Sequence, residues 1–382
     1  MDFELNDEQK MFKRVVRDFC EAELKPYASE IDEKEELRWE AIRKMADIGI
    51  LSLQIPEEYG GAEMDTISSA IAIEELGRAC GSTGLSIAAH NGLGCAPIVN
   101  WGTDEQKEKY LPMLISGDYL GALGLTEPNA GSDLLNSATT NAVRDGDEWV
   151  INGTKAWITN PKYAPVIVVF LRTDKESGSN GFSMILVEPG TAGLTIHPKE
   201  KKMGVRGSPT QMLTFDNVRV PASNLLGEEG RGFHQTMQTL DGGRISIGAL
   251  SIGLGQAALE EMVKYAKERV AFGKPISSKQ AIQWMIADAA TELEAARFMV
   301  YRAAWMKDQG KDFTRIAAMA KLKASEIAEK IARDAIQVHG SYGYSTEYPV
   351  ERIYRDQRLM TIGEGTSEVQ RMVIARRVLK DY

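Results

Sequence analysis

The chain has 382 residues, 43% of them hydrophobic, which is enough for several cores and points to two or three domains rather than a small binding module. A net charge of −9 speaks against a nucleic-acid backbone or an anionic membrane as the main partner, since both reward clustered positive charge. The three cysteines, Cys20, Cys80 and Cys95, lack C-x-x-C spacing, so they suggest neither a disulfide framework nor a structural zinc site, and a reducing compartment follows.

In chain order, Met1, Asp2, Glu4, Asn6 and Asp7 make a polar start without the basic flank and apolar core of a secretory signal. No apolar run approaches the ~20 residues that span a bilayer. A cytoplasmic protein is expected, or a mitochondrial matrix protein already processed. From Asn6 the pattern is helical, with a capping signal and the amphipathic set Phe12, Val15, Val16, Phe19 and Leu24. Further helices are expected at 39–49, 64–79 and 103–115, the last opening on the Thr103 and Gln106 capping pair. Residues 1–120 therefore read as an α-helical N-terminal domain.

Within 121–225 the period becomes alternating, and strands are expected at 148–158, 165–172, 182–188, 193–197 and 211–220. Short strands without long helices between them predict a middle antiparallel β-domain. Long helices return at about 233–271, 278–309, 313–338 and 347–380, the first and last interrupted, so 226–382 reads as a C-terminal four-helix bundle. The fold class is α+β, multidomain.

Common chemistries are missing. His90, His197, His234 and His339 show no i, i+3 or i, i+4 spacing, so no metal site is expected. There is no nucleophile elbow and no phosphate loop of the Walker type. Gly253-Leu254-Gly255-Gln256-Ala257-Ala258 matches a dinucleotide fingerprint, but only helical patterns surround it, and close helix packing explains it better.

Four segments could carry chemistry. Gly124 to Asp133 offers hydroxyls and flexible backbone to a polar cofactor, although such residues also make ordinary loops. Trp157-Ile158-Thr159-Asn160 ends a strand with an aromatic plate, or with a merely packed tryptophan. At the start of a bundle helix, Asp241-Gly242-Gly243-Arg244 could hold a phosphate or carbonyl, or form an exposed ion pair. Finally, Glu364 between Gly363 and Gly365, followed by Thr366 and Glu368, reads either as an acid-base group or as a helix cap.

In this order, TEPNAGSD from Thr126, WITN from Trp157, DGGR from Asp241, RVAFGKPI from Arg269, QVHGSYGYS from Gln337 and GEGTSEVQR from Gly363 resemble the acyl-CoA dehydrogenase family over nearly the whole chain. The resemblance implies three domains, a homotetramer and bound FAD. It implies flavin contacts at Leu125, Thr126 and Ser132, with Trp157 and Thr159 against the ring. Arg269, Phe272, Gln280, Gln337 and Gly340 would reach the FAD of a neighbouring subunit, and Thr366 and Glu368 would lie near its nucleotide part. Ser132, Asp241, Arg244 and Gly365 would line the acyl-CoA site.

Most family members place the catalytic base where this chain has Glu364, and a minority place it where this chain has Gly243. The implied reaction is α,β-dehydrogenation of an acyl-CoA, with Glu364 as base and electron-transfer flavoprotein as acceptor. Donors to the thioester carbonyl would be the Glu364 backbone N–H and a ribityl hydroxyl of FAD, in a site that excludes water. Burial beside an acyl chain should raise the Glu364 pKa.

Many short- and medium-chain members carry tyrosine where this chain has Gly363, and loss of that ring would widen the acyl pocket, so branched, aromatic-tailed or alicyclic acyl groups are the alternative to straight short ones. An oxidase-like reading expects a longer chain, and a nitroalkane oxidase-like one expects aspartate at 364. A non-catalytic flavoprotein of the same fold that binds nucleic acid would need a basic surface.

Overall fold

The computed structural model describes residues 4–381. Met1 and Asp2, part of the polar start noted above, lie outside the described residues. The helical first part contains α1 (Asp7–Glu23), α2 (Ala28–Lys34), α3 (Trp39–Asp47), α4 (Thr66–Ala79), α5 (Gly81–Ala89), α6 (Ala96–Trp101) and α7 (Asp104–Ile115). Both capping signals operate: Gln9 N–H donates to Asn6 Oδ1 at 2.8 Å and Gln106 N–H to Thr103 Oγ1 at 3.3 Å, and each glutamine side chain accepts the cap residue's own N–H.

The strands are β1 (Ala122–Gly124), β2 (Asn141–Asp145), β3 (Glu148–Thr159), β4 (Ile167–Arg172), β5 (Phe182–Val187), β6 (Leu194–Lys199) and β7 (Thr210–Pro221), with a one-turn helix, α8 (Leu134–Ser137), after β1. They form one sheet in the order β1-β4-β2-β3-β7-β6, with β5 beside β4. Pairing is antiparallel except that β1 runs parallel to β4, as does β2 at one position, Asn141 beside Arg172. The alternation pattern missed β1 and β2. β1 is buried on both faces, and β2 carries exposed Val143 among polar residues.

The last part contains α9 (Gly232–Glu268), a hairpin of β8 (Val270–Ala271) and β9 (Lys274–Pro275), α10 (Gln280–Asp308), α11 (Thr314–His339), α12 (Val350–Gln357) and α13 (Ser367–Asp381). The break expected near the C-terminus separates α12 from α13. The break expected in the first bundle helix does not exist, and α9 is continuous through all its glycines. The reason is packing: a Cβ on Gly253 would lie 2.1 Å from the Glu74 carbonyl oxygen of α4, and one on Gly255 would press on Ala328 of α11. These glycines let helices touch, which accounts for the fingerprint-like run. Asp241 to Arg244 consequently lies in the third and fourth turns of α9 rather than at its start.

Residues 81–101, between the expected helices 64–79 and 103–115, are also helical: α5, a π-helical stretch His90–Cys95, and α6. Gly84 and Gly94 act there as contact residues, the former against Leu250 and the latter against the backbone of Gly121. One apolar cluster runs from Val16 and Leu76 through Leu250 and Ile252 to Ile331, so the first helices and the bundle share a core. The sheet has its own cluster around Trp149, Ile167 and Val218. Among the described residues no helix is long and apolar enough to cross a membrane.

Candidate active site

Two neighbourhoods hold the chemically interesting residues. In the first, the loop after β1 is clamped by a buried ion pair. Lys155 of β3 has no exposed surface, and its Nζ donates to Glu127 Oε1 at 2.8 Å and to the Leu125 carbonyl at 3.0 Å. The Glu127 carboxylate also accepts from Thr139 N, Thr139 Oγ1 and Thr140 N at 2.7–3.0 Å. Although burial alone would raise it, these donors and the ammonium hold Glu127 down at about 2. The Ala156 N–H adds a bond to the Thr126 carbonyl at 2.8 Å, so Leu125 and Thr126 are fixed against β3.

Immediately after Lys155 the register with β7 shifts by one residue, a β-bulge. Trp157 takes φ 60° there and stands 60% exposed, so it is not the packed strand-end tryptophan. A bulky side chain in the left-handed region beside a clamped loop costs conformational energy that packing does not repay. The result is a bare aromatic face with hydrogen-bonding backbone next to it, which fits a planar heteroaromatic ring. Thr159 is half-buried two residues on, and Ser132 is exposed on the loop.

The second neighbourhood is the turn before α13. Glu364 (φ 51°) and Gly365 (φ 90°) are consecutive left-handed residues. Gln370 Nε2 ties the turn down through the Glu364 and Gly365 carbonyls at 3.3 and 2.9 Å, and Thr366 caps α13 by accepting from Val369 N–H at 3.3 Å. Glu368 sits exposed in the first turn of α13, where a negative charge suits the helix dipole. The carboxylate of Glu364 reaches α9, and its Oε2 lies 1.9 Å from where a Cβ on Gly243 would stand. Position 243 must be small for the carboxylate to sit there.

That Oε2 is shut from solvent with no hydrogen-bond partner, as are Arg244 Nε, Ser367 Oγ and Gln370 Oε1 around the same turn. Such a group of unsatisfied buried atoms calls for a ligand or a reactive role. Burial pushes Glu364 up to about 7, against the pull of Lys321 and Arg244. Arg244 is buried rather than exposed and is ion-paired with Asp241, whose other oxygen accepts from Thr314 Oγ1 at 2.6 Å. A carboxylate poised near neutrality, with one oxygen buried and unpaired, can remove a proton from a weak carbon acid.

The residues expected to serve a second subunit lie elsewhere. Arg269 follows α9, Phe272 tops the β8–β9 hairpin with 95% of its surface exposed, and Gln280 begins α10. Gln337 and Gly340 end α11, joined to the α9 end by the His339 and Tyr265 rings, stacked 4.2 Å apart. Gln337 lies sixteen residues beyond Lys321 on α11, about 24 Å along the helix. Within one chain this exposed end and the Glu364 turn are thus far apart.

Sequence reasoning overlooked Lys155 and Lys321, and it quoted Glu127 without a role. The available signal was a lysine in an otherwise apolar strand or helix face, where a buried cation demands a partner. Among the described residues no group of three or more His, Cys, Asp or Glu could hold a metal ion.

Family models for the N-terminal, middle and C-terminal domains of acyl-CoA dehydrogenase match residues 6–118, 122–218 and 230–379. A protein of Bacillus subtilis (strain 168) described as probable acyl-CoA dehydrogenase YngJ is 53% identical over 381 residues, with the whole of both chains covered. The fold is similar to that of butyryl-CoA dehydrogenase from Megasphaera elsdenii, with a TM-score of 0.96 and 44% identity over 99% of this chain and 100% of that one. It is also similar to a chain in a structure described as the electron transferring flavoprotein of Acidaminococcus fermentans, concerned with flavin-based electron bifurcation. There the TM-score is 0.97 and the identity 44%, with both chains fully covered.

Proposed function

Because the chain belongs to the acyl-CoA dehydrogenase family, we propose that it binds FAD and oxidises an acyl-CoA thioester to the 2-enoyl-CoA, with Glu364 as the base that takes the α-proton. The observation that carries this reading is Glu364 Oε2, shut from solvent and without a hydrogen-bond partner among the described residues, on a carboxyl raised to about 7. When bound, FAD supplies a two-electron acceptor for the hydride leaving the β-carbon. The Trp157 face, the clamped Leu125–Thr126 backbone and the hydroxyls of Ser132 and Thr159 are the residues that would hold it, with Thr366 and Glu368 towards its nucleotide part.

This chain's own residues do the rest. The α-carbon–hydrogen bond breaks as its proton passes to Glu364 Oε2, and the electron pair left behind is stabilised at the thioester oxygen by the Glu364 backbone N–H. Being half protonated near neutrality, Glu364 can accept this proton and later return one to solvent. Arg244 and Asp241, fixed to each other, line the approach of the CoA moiety together with Ser132 and Gly365. The four-chain assembly brings Arg269, Phe272, Gln280, Gln337 and Gly340 of one copy to the cofactor of another, which fits a fully exposed Phe272 far from the Glu364 turn. Electron-transfer flavoprotein takes the electrons away, in keeping with the electron-transfer description of one close structural relative.

On substrate, Gly363 removes bulk beside the base, and branched or alicyclic acyl groups are accepted as well as straight short ones. The test is anaerobic bleaching of the reconstituted flavoprotein by butyryl-CoA and by branched acyl-CoAs. Glu364→Gln should keep FAD and a native mass of four chains while losing about 10²–10⁴-fold or more in reduction rate. Near-normal reduction in that variant would show that another group is the base. A fully flavinated monomer would defeat the shared site.

A further inference from the structure

Lys321 lies in the middle of α11 with no exposed surface. It faces α9 and the Glu364 turn, and its Nζ donates to the Gly365 carbonyl at 2.8 Å. No α11 packing requirement explains a charge there, since the surrounding positions Ala317, Ala320 and Ala324 are small and apolar and a methionine would fill the same stem. A buried ammonium is costly unless it is compensated. The compensation available is the Gly365 carbonyl and the negative charge of Glu364.

The turn needs such support. Two consecutive left-handed residues, one of them not glycine, are held by Gln370, which donates to both carbonyls, and by Lys321, which donates to that of Gly365. We propose that Lys321 is a positioning residue for the base. Its ammonium, locked on the Gly365 carbonyl, fixes the left-handed turn that aims the Glu364 carboxylate at the substrate and supplies a buried positive charge that favours the ionised form of this carboxylate. The inference rests on the reading of Glu364 as base.

The charges involved can be named element by element. Glu364 feels Lys321 from α11 and Arg244 from α9, both favouring its ionised form against burial. Lys321 is pushed down by burial, supported by Glu364, opposed by Arg244 and supported again by Glu326 of α11 and Glu368 of α13. Arg244 is already committed to Asp241, whereas Lys321 has no carboxylate hydrogen-bonded to it. Lys321 is thus the stronger of the two cationic influences on the base.

The test uses flavinated holoenzyme with Lys321→Met, which removes donor and charge, and Lys321→Gln, which keeps a donor but removes the charge. Two readouts apply: the pH profile of single-turnover flavin reduction, and the infrared titration of the Glu364 carboxyl in ligand-free protein, assigned by its disappearance in Glu364→Gln. Both variants should move the carboxyl titration and the acid limb of the profile upward by about one pH unit, about tenfold in rate at low pH. Lys321→Met should in addition lower the plateau, because the turn loses its anchor.

An unmoved Glu364 titration in folded, fully flavinated variants overturns the inference. If neither variant folds, the reciprocal measurement decides: Glu364→Gln should lower the titration of Lys321 itself, and no change there overturns the proposal as well. Failure of the base reading looks different, since Glu364→Gln would then reduce flavin normally.

Discussion

Two lysines, both without exposed surface, sit next to two glutamates in this protein, and the outcomes are opposite. Lys155 touches Glu127, which collects three further donors and is held at about 2. Lys321 bonds a backbone carbonyl instead, and Glu364 nearby keeps an unpaired oxygen and rises to about 7. Burial raises both carboxyls, and only Glu127 has the hydrogen bonds to its charged form that outweigh it. A saturated carboxylate is a structural fastener whose charge never changes near neutral pH. An unsaturated one is left able to exchange a proton.

The largest effect that could break this contrast is on stability. Lys155→Met should cost about 3–5 kcal/mol, because it strands a buried carboxylate that resists protonation. Lys321→Met should cost clearly less, since Glu364 can relieve the missing charge by taking up a proton. Urea unfolding of both flavinated variants at neutral pH measures this, and equal losses would erase the distinction between fastener and reactive group. Acid behaviour has the matching sign. Glu127, depressed when folded, contributes stability above the ordinary carboxylate range that disappears as pH falls towards about 2.

The second effect is somewhat smaller and has the opposite sign. Glu364 is raised when folded, so its contribution is fully present below the ordinary carboxylate value and is lost as pH rises through about 7. Glu364→Gln carries no such burden. Relative to the wild type, the variant should therefore gain stability between pH 5 and pH 8, by about 2–3 kcal/mol at the upper end. Melting temperatures of the two holoproteins across that range report it. A constant difference would mean that the carboxyl titrates as it does in water.

How far these features could be read beforehand follows from their physical range. Local signals were reliable: the Asn6 and Thr103 caps, the apolar strand run from Ile167 and the break before Ser367 all act over a few residues. The motif around Glu364 was visible, and so was the exposed-plate reading of Trp157 as one of two alternatives. What could not be seen was long-range. Lys321 meets Gly365 across 44 positions, and Gly243 is small because Glu364 arrives from 121 positions away. Close helix packing could be inferred for Gly253, but its partner, the Glu74 carbonyl of a distant helix, could not, and neither could the partners of Gly84 and Gly94, which are Leu250 and the Gly121 backbone.

The smallest effect concerns selectivity, and it tests whether the Glu364 turn is adaptable where the Lys155 clamp is not. Gly363 precedes two left-handed residues but is not itself left-handed, and a Cβ there would meet nothing closer than the Leu359 carbonyl oxygen at 3.6 Å and its side chain at 3.8 Å. The backbone does not demand glycine, so a larger residue is compatible with the turn. Gly363→Tyr should leave FAD content and melting temperature near those of the parent while placing an aromatic ring beside the base. Branched or cyclic acyl-CoAs should then lose about 1–3 kcal/mol more in kcat/KM than butyryl-CoA, the range for overfilling a packed space. The two substrates have to be compared in both proteins, because a uniform loss reports a displaced carboxylate and only an unequal one reports pocket width. An equal change for both substrates in a folded, flavinated variant would remove Gly363 from the account of specificity and leave it as a residue of the turn alone.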